Sequence, residues 1–91
     1  MHSAFRAVIF GRVQLVMYRD FAERKASGLG ISGTVKNLPD NTVEVVAEGD
    51  ESALKQYLEF LNAGPVLADV EGVRVEWGKP SGAFTGFSII Y

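Results

Sequence analysis

The chain has 91 residues, 47% of them hydrophobic, and a formal net charge of -2 from nine basic and eleven acidic residues. Six Phe, three Tyr and one Trp supply enough apolar material for a packed core, which excludes a disordered chain. The sequence has no cysteine, which excludes a disulfide framework and a thiolate metal site.

The length predicts one domain spanning residues 1-91, because chains divide into several domains only well above this size. No stretch approaches the ~20 apolar residues of a membrane span, and the N-terminus lacks the pattern of a signal peptide. Like charges form no run suited to nucleic acid. We therefore expect a cytoplasmic monomer that binds neither membrane nor nucleic acid.

The first predicted element is a strand from Ala4 to Val13, whose nearly continuous apolar sequence is typical of a central strand buried on both faces. A short helix from Arg19 to Gly28 follows, with apolar residues at helical spacing. Gly28 and Gly30 mark its end, because glycine readily adopts the left-handed conformation of helix C-termini.

Two β-rich runs, Ile31 to Leu38 and Thr42 to Glu48, are separated by the turn residues Pro39-Asp40-Asn41 and predict a hairpin. Asp50-Glu51-Ser52 then offers N-caps for a second helix that Gly64-Pro65 closes.

Alternation of apolar and polar residues predicts two further strands, Val70 to Trp77 and Phe84 to Tyr91. The order is βαββαβ with an extra strand. It favours an α+β, ferredoxin-like two-layer sandwich, in which a mostly antiparallel sheet packs on two helices.

A candidate anion site lies between the first strand and the first helix, where Gly11 to Arg19 reads GRVQLVMYR. Amides at a helix N-terminus point outward unpaired, the helix dipole favours negative charge, and a guanidinium matches two phosphate oxygens. Alone, Arg19 would be a surface arginine. At the positive end of a helix, however, an uncompensated cation costs ~0.3 to 1 kcal/mol, which a bound phosphate would reverse.

Asn37 ends the first hairpin strand, in the segment Gly33-Thr34-Val35-Lys36-Asn37. By itself it would be an ordinary turn residue. An asparagine is no general base, but its carbonyl oxygen accepts a hydrogen bond from water while its amide donates, so Asn37 is a candidate for positioning a nucleophilic water.

Other chemistry is not supported. The one histidine, His2, is expected to be solvated in a terminal tail, which rules out a Ser-His-Asp triad. Four acidic residues show no metal-ligand spacing, and we expect no metal and no cofactor; they are Asp20, Asp40, Glu44 and Glu48.

These segments resemble the acylphosphatase family over nearly the whole chain. Gly11 to Arg19 matches the family pattern G-x-V-Q-G-V-x-[FY]-R except at Leu15, where the family has glycine. Gly33 to Asn37 matches the second pattern, G-x-V-x-N, and is followed by Asn41 where another glycine is usual. Two signatures in the correct order are much more specific than either alone.

The resemblance implies metal-independent hydrolysis of the carboxyl-phosphate bond of small acyl phosphates, giving a carboxylate and inorganic phosphate. It implies that Arg19 and the amides of the 15-19 loop, formed by Leu15, Val16, Met17, Tyr18 and Arg19, bind the phosphoryl group. It also implies that Asn37 orients the attacking water, with a substrate phosphate oxygen taking the proton.

Leu15 is the departure that matters for activity. If the family glycine has φ > 0, leucine costs roughly 1 to 2 kcal/mol to follow it. We expect the loop to relax instead. A ~1 Å displacement of the phosphate cradle, the amides of the 15-19 loop, should cost on the order of 100-fold in rate.

Two alternatives remain at this point. One is a non-catalytic or weakly active module that binds phosphate or carbamoyl phosphate, which Leu15 favours. The other is an RNA-binding sheet, which would need aromatics on the middle strands and a basic face; Val43, Val45 and Val46 and the negative net charge offer neither.

Overall fold

The computed structural model describes residues 1-91, with five strands and two helices in the order β-α-β-β-α-β-β. The elements are β1 His2–Arg12, α1 Tyr18–Gly28, β2 Ser32–Asn37, β3 Val43–Asp50, α2 Glu51–Ala63, β4 Asp69–Gly78 and β5 Phe87–Ile89. The predicted element order is confirmed. None of the helices is long and apolar enough to cross a bilayer.

The strands form one sheet in the order β4-β1-β3-β2-β5. The pairs of β1 with β3, β1 with β4 and β2 with β3 are antiparallel, and only β2 with β5 is parallel. The expectation of a mostly antiparallel α+β sheet on two helices is therefore confirmed.

Burial of β1 differs from the prediction. Phe5, Ala7 and Ile9 are buried on the helix face, whereas Arg6 and Phe10 lie on the opposite face and are exposed. The expectation that β1 is buried on both faces is wrong, because both helices cover the same face of the sheet. His2, expected in a terminal tail, is the exposed first residue of β1 and pairs with Asp50.

Two buried tyrosines attach the helices to each other. The Tyr18 hydroxyl donates to the Leu61 carbonyl at 2.6 Å, and the Tyr57 hydroxyl donates to the Ala22 carbonyl at 2.9 Å. Each bond joins one helix to the other, and burial raises the pKa of both phenols, so they stay neutral donors. This linkage fixes α1, and with it the N-terminus of α1, relative to α2.

The last predicted strand, Phe84 to Tyr91, is too long, since only Phe87–Ile89 forms β5. β4 and β5 are at opposite edges of the sheet, so residues 79-86 must cross it. Glu48 in β3 holds this crossing. Its carboxylate accepts hydrogen bonds from the Ser81 amide at 2.9 Å, the Ser81 hydroxyl at 2.7 Å and the Gly82 amide at 3.0 Å.

Glu48 is the only buried charged residue of the chain, at 7% exposure. Burial alone would raise the pKa of its carboxyl, but the hydrogen bonds from Ser81 and Gly82, aided by the charge of His2, outweigh burial and lower it. A carboxyl with a lower pKa in the folded chain stabilises the fold above its unfolded-state pKa of about 4.3. That contribution is lost as the pH falls through the folded-state pKa.

Replacing Glu48→Gln removes the charge that accepts three hydrogen bonds. We expect the free energy of unfolding at pH 7 to fall by about 1 to 3 kcal/mol, the usual range for bonds to a charged group. The difference from the wild type should be smaller at pH 3 than at pH 7, because the carboxyl takes up protons as the pH falls through its lowered pKa. Urea unfolding at both pH values measures this difference.

Glu76→Gln, at a side chain that is 75% exposed, is the matched control and should change stability by less than about 0.5 kcal/mol. An equal effect of both substitutions would contradict the anchoring role of Glu48.

Candidate active site

The site forms at one end of the sheet, where several strands end or begin together. Arg12 at the end of β1 pairs with Asp69 at the start of β4, and Asn37 at the end of β2 pairs with Val43 at the start of β3. The loop of residues 13-17 therefore lies beside the hairpin turn of residues 38-42. Antiparallel pairing brings together two segments that are 20 residues or more apart in the sequence.

The 13-17 loop owes its shape to two residues in the left-handed region. Leu15 has φ 60° and Met17, the N-cap of α1, has φ 61°. The side chains alternate accordingly: Val13, Val16 and Tyr18 are buried, whereas Leu15 and Met17 point to solvent. The side chains of Val16 and Tyr18 therefore belong to the core, and of the predicted loop residues 15-19 only Val16 does not line the pocket described below.

This conformation corrects the expectation about Leu15. The loop does not relax away from positive φ; leucine occupies the conformation that would favour glycine. Asn41 likewise has φ 72°, which asparagine tolerates better than most residues. The cost of Leu15 is therefore carried as backbone strain.

The loop amides are not used within the protein. The N–H groups of Leu15 to Asp20 donate no backbone hydrogen bond, and the first bond of α1 runs from the Phe21 amide to the Met17 carbonyl at 3.0 Å. No side chain caps this helix terminus. Successive unpaired amides at a helix N-terminus make an anion-binding concavity.

Gln14 joins this loop to the hairpin. Its side-chain amide donates to the Leu38 carbonyl at 2.9 Å and to the Thr42 carbonyl at 2.8 Å. The Leu38 amide in turn donates to the Thr42 carbonyl at 2.8 Å. Both N–H groups of one side chain are thus satisfied by the hairpin, and the distance between the loop and Asn37 is fixed.

Arg19 and Asn37 line the same pocket, which has a volume of about 220 Å³. Arg19 forms no ion pair with any carboxylate. Its guanidinium carbon lies 4.9 Å from the centre of the Tyr91 ring, a cation–π contact that holds the guanidinium plane while its N–H edges stay free. The predicted residues are therefore brought together, as the loop and hairpin signatures require.

The Asn37 side chain is poised without a partner. Its Oδ1 atom is buried and has no hydrogen-bond partner within the protein. A buried unpaired oxygen is costly in a folded protein, which points to a bonding group from outside the chain.

Asp20 is the one acidic side chain that lines the pocket. The Arg24 Nε atom donates to its Oδ2 at 2.9 Å, an i,i+4 pair along α1. This ion pair reduces the repulsion that a free carboxylate would exert on a bound anion. Arg19 is the only cationic side chain at the pocket.

Two contributors were not assigned a role from sequence. Gln14 is a polar residue in an otherwise apolar run from Val13 to Met17, a signal that it needs a hydrogen-bond partner, although the partner lies across the fold. Tyr91 gave no signal, because its contact with Arg19 depends on where β5 leaves the sheet.

The fold is a small α+β sandwich. Its site combines unpaired backbone amides, one guanidinium free of ion pairs and a carboxamide oxygen without a partner, which is typical of proteins that bind a phosphoryl group. Comparisons with known proteins show which family of such proteins it is. The acylphosphatase family model matches residues 5–89. The chain is 53% identical to an acylphosphatase of Thermus thermophilus, covering 91% of this chain and 93% of that one.

Two further relatives agree over the full length. An acylphosphatase of Roseiflexus sp. is 47% identical and covers 100% of both chains. The crystal structure of acylphosphatase from Bacillus subtilis has a TM-score of 0.94 and 34% identity, again over 100% of both chains.

The chain belongs to the acylphosphatase family. It is accordingly an enzyme that hydrolyses acyl phosphates, as the signatures of the two segments predict.

Replacing Gln14→Leu removes both bonds between loop and hairpin at similar side-chain size. We expect the free energy of unfolding to fall by about 1 to 3 kcal/mol, because two hydrogen bonds of about 0.5 to 1.5 kcal/mol each are lost. Each carbonyl keeps one backbone donor, the Leu38 amide for Thr42 and the Asn41 amide for Leu38. A loop displaced by ~1 Å should also lower kcat/KM on the order of 100-fold. Urea unfolding and acyl phosphate assays measure both effects. Gln56→Leu, at an exposed position of α2, is the control; unchanged turnover in Gln14→Leu would contradict the positioning role.

Leu15→Gly should relieve the strain of the left-handed conformation. We expect it to raise the free energy of unfolding by about 1 kcal/mol, whereas Leu15→Ala, which keeps the same strain, should change it by less than about 0.5 kcal/mol. The matched control is Leu67→Gly, at an exposed leucine without positive φ. That change should destabilise by about 0.5 to 1 kcal/mol through the unfolded chain. Urea unfolding measures all three, and destabilisation by Leu15→Gly would show that the strain is absent.

Proposed function

We propose that Arg19 and the amides of the 15-19 loop hold the phosphoryl group and that Asn37 positions the attacking water. The observation that carries this proposal is the shared pocket. There, a guanidinium free of ion pairs and a buried, unpartnered Asn37 Oδ1 lie beside the unpaired amides.

The reaction we propose is an in-line displacement at phosphorus. The water oxygen forms a bond to phosphorus while the bond from phosphorus to the acyl oxygen breaks, and the electron pair leaves with the carboxylate. One water proton passes to a phosphoryl oxygen, giving inorganic phosphate. A substrate oxygen takes the proton because Asn37 is not basic and the Asp20 carboxylate is paired with Arg24.

Charge on the equatorial oxygens is stabilised by Arg19 and the loop amides. These donors are fixed by the fold before substrate arrives, so little reorganisation is needed during the reaction. An acyl phosphate suits such a site because its carboxylate leaves readily. Positioning and electrostatics then suffice, and no metal or side-chain acid is required.

The conformation of Leu15 supports hydrolysis over a module that only binds phosphate or carbamoyl phosphate. The argument for a weakened enzyme required a displaced loop, and Leu15 keeps positive φ instead. We therefore propose a cradle that is strained but catalytically competent.

We further propose that residues 1-91 act as one domain, as a cytoplasmic monomer without metal or cofactor and without nucleic-acid or membrane partners. One cluster of 17 buried residues links both helices to the sheet, which supports a single folding unit. The cytoplasmic location, the monomeric state and the absence of metal, cofactor, nucleic acid and membrane are proposed from composition and charge.

The test is hydrolysis of acetyl phosphate, with and without a metal chelator, by the wild type, Arg19→Ala and Asn37→Ala. We expect each substitution to lower kcat on the order of 100-fold or more, as loss of a transition-state donor does. The chelator should have no effect. Arg12→Ala and Asn62→Ala, which replace residues outside the pocket, should keep full turnover.

Inorganic phosphate separates the two roles. It should raise the melting temperature of the wild type and of Asn37→Ala, and not that of Arg19→Ala. Full activity of either pocket variant, or inhibition by the chelator, would contradict the proposed mechanism.

A further inference from the structure

Three large apolar side chains are exposed around the mouth of the pocket. Leu15 is 97% exposed, Met17 69% and Tyr91 98%, and all three line the pocket. None of them belongs to the buried core cluster. Apolar residues gathered at one concave site mark a surface that binds an apolar group.

The backbone makes the same point independently. Leu15 and Met17 both have large side chains, yet their backbones lie in the left-handed region, which glycine, asparagine and aspartate adopt at lower cost. That conformation directs both side chains out of the core. Strain of this kind persists where it serves a site, since packing would be satisfied by glycine.

The pocket is larger than the phosphoryl group requires. Its volume is about 220 Å³, many times the ~10 to 15 Å³ that one water needs on this measure, whereas a phosphoryl group has only four heavy atoms. With the phosphoryl group at the loop amides, the acyl group extends toward the mouth. There it meets the Tyr91 ring, which lies against the Arg19 guanidinium at 4.9 Å.

Charge at the pocket limits which acyl group fits. Arg19 is the only cationic side chain there, and Asp20, its one acidic side chain, is already paired with Arg24 at 2.9 Å. An acyl group carrying its own carboxylate or second phosphate would lose water at this site and meet no further cation. An uncharged apolar group meets no such penalty.

We propose that Leu15, Met17 and Tyr91 form an acyl-binding rim that selects acyl phosphates with an aromatic acyl group over those with a small one. This rests on the proposed function, because it takes the phosphoryl group to be held at Arg19. The residue that departs from the family glycine, Leu15, thus determines specificity.

The experiment compares kcat/KM for benzoyl phosphate and acetyl phosphate in the wild type, Leu15→Asn and Tyr91→Ala. Asparagine tolerates the left-handed conformation and is close to leucine in size, so Leu15→Asn changes polarity rather than loop shape. We expect the ratio of benzoyl to acetyl phosphate to fall about 10-fold in each variant, the value of a lost apolar contact. Val66→Asn, at a fully exposed valine outside the pocket, should leave the ratio unchanged.

An unchanged ratio in both rim variants would overturn the acyl-binding rim, even with the roles of Arg19 and Asn37 intact. Failure of those roles shows itself differently, as acetyl phosphate turnover that survives Arg19→Ala and Asn37→Ala. Should a rim variant lose turnover of both substrates, calorimetry with benzoylphosphonate and acetylphosphonate decides. A fall in the ratio of their affinities supports the rim, and a constant ratio overturns it.

Discussion

The two hydrogen bonds from the Gln14 side chain to the Leu38 and Thr42 carbonyls are the constraint on which the site depends. They tie the loop that ends at α1 to the hairpin that follows Asn37. The sheet brings these segments to one end, but pairing of β1 with β3 and β2 with β3 does not set the loop itself. The Gln14 side chain does set it, and it thereby holds the loop that leads to Arg19 beside the hairpin that carries Asn37, so that the two form one pocket.

In the proposed mechanism, the phosphoryl group is held mainly by backbone amides rather than by charged side chains. The donors are one guanidinium and the unpaired amides of a helix N-terminus, in a chain whose net charge is -2. Oriented amides gain strength where water is excluded and need no reorganisation during reaction. The cost appears as left-handed conformations at Leu15 and Met17. The packed core compensates for this local strain. Within it, the hydrogen bonds of Tyr18 and Tyr57 fix the two helices relative to each other.

Periodicity predicted the fold well where one element buries one face. α2 follows its apolar spacing and ends at Gly64-Pro65 as predicted, because amphipathic burial fixes a helix locally. The prediction failed for β1, whose continuous apolar run suggested two buried faces. It also failed at the start of the last predicted strand, at Phe84. Residues 79-86 cross the sheet, held by Glu48, and β5 begins only at Phe87. Neither the uncovered face nor the crossing is encoded in a local pattern.

The sequence by itself determined the element order, the anion loop at the start of α1, and the pairing of two signatures that marks an acylphosphatase. Those depend on residue type and spacing along the chain. Only the tertiary structure decided that Leu15 keeps positive φ, that Gln14 bonds to the hairpin, and that Tyr91 lies against Arg19. Each of these depends on atoms brought together from distant parts of the chain, or on a backbone angle that surrounding contacts impose against local preference.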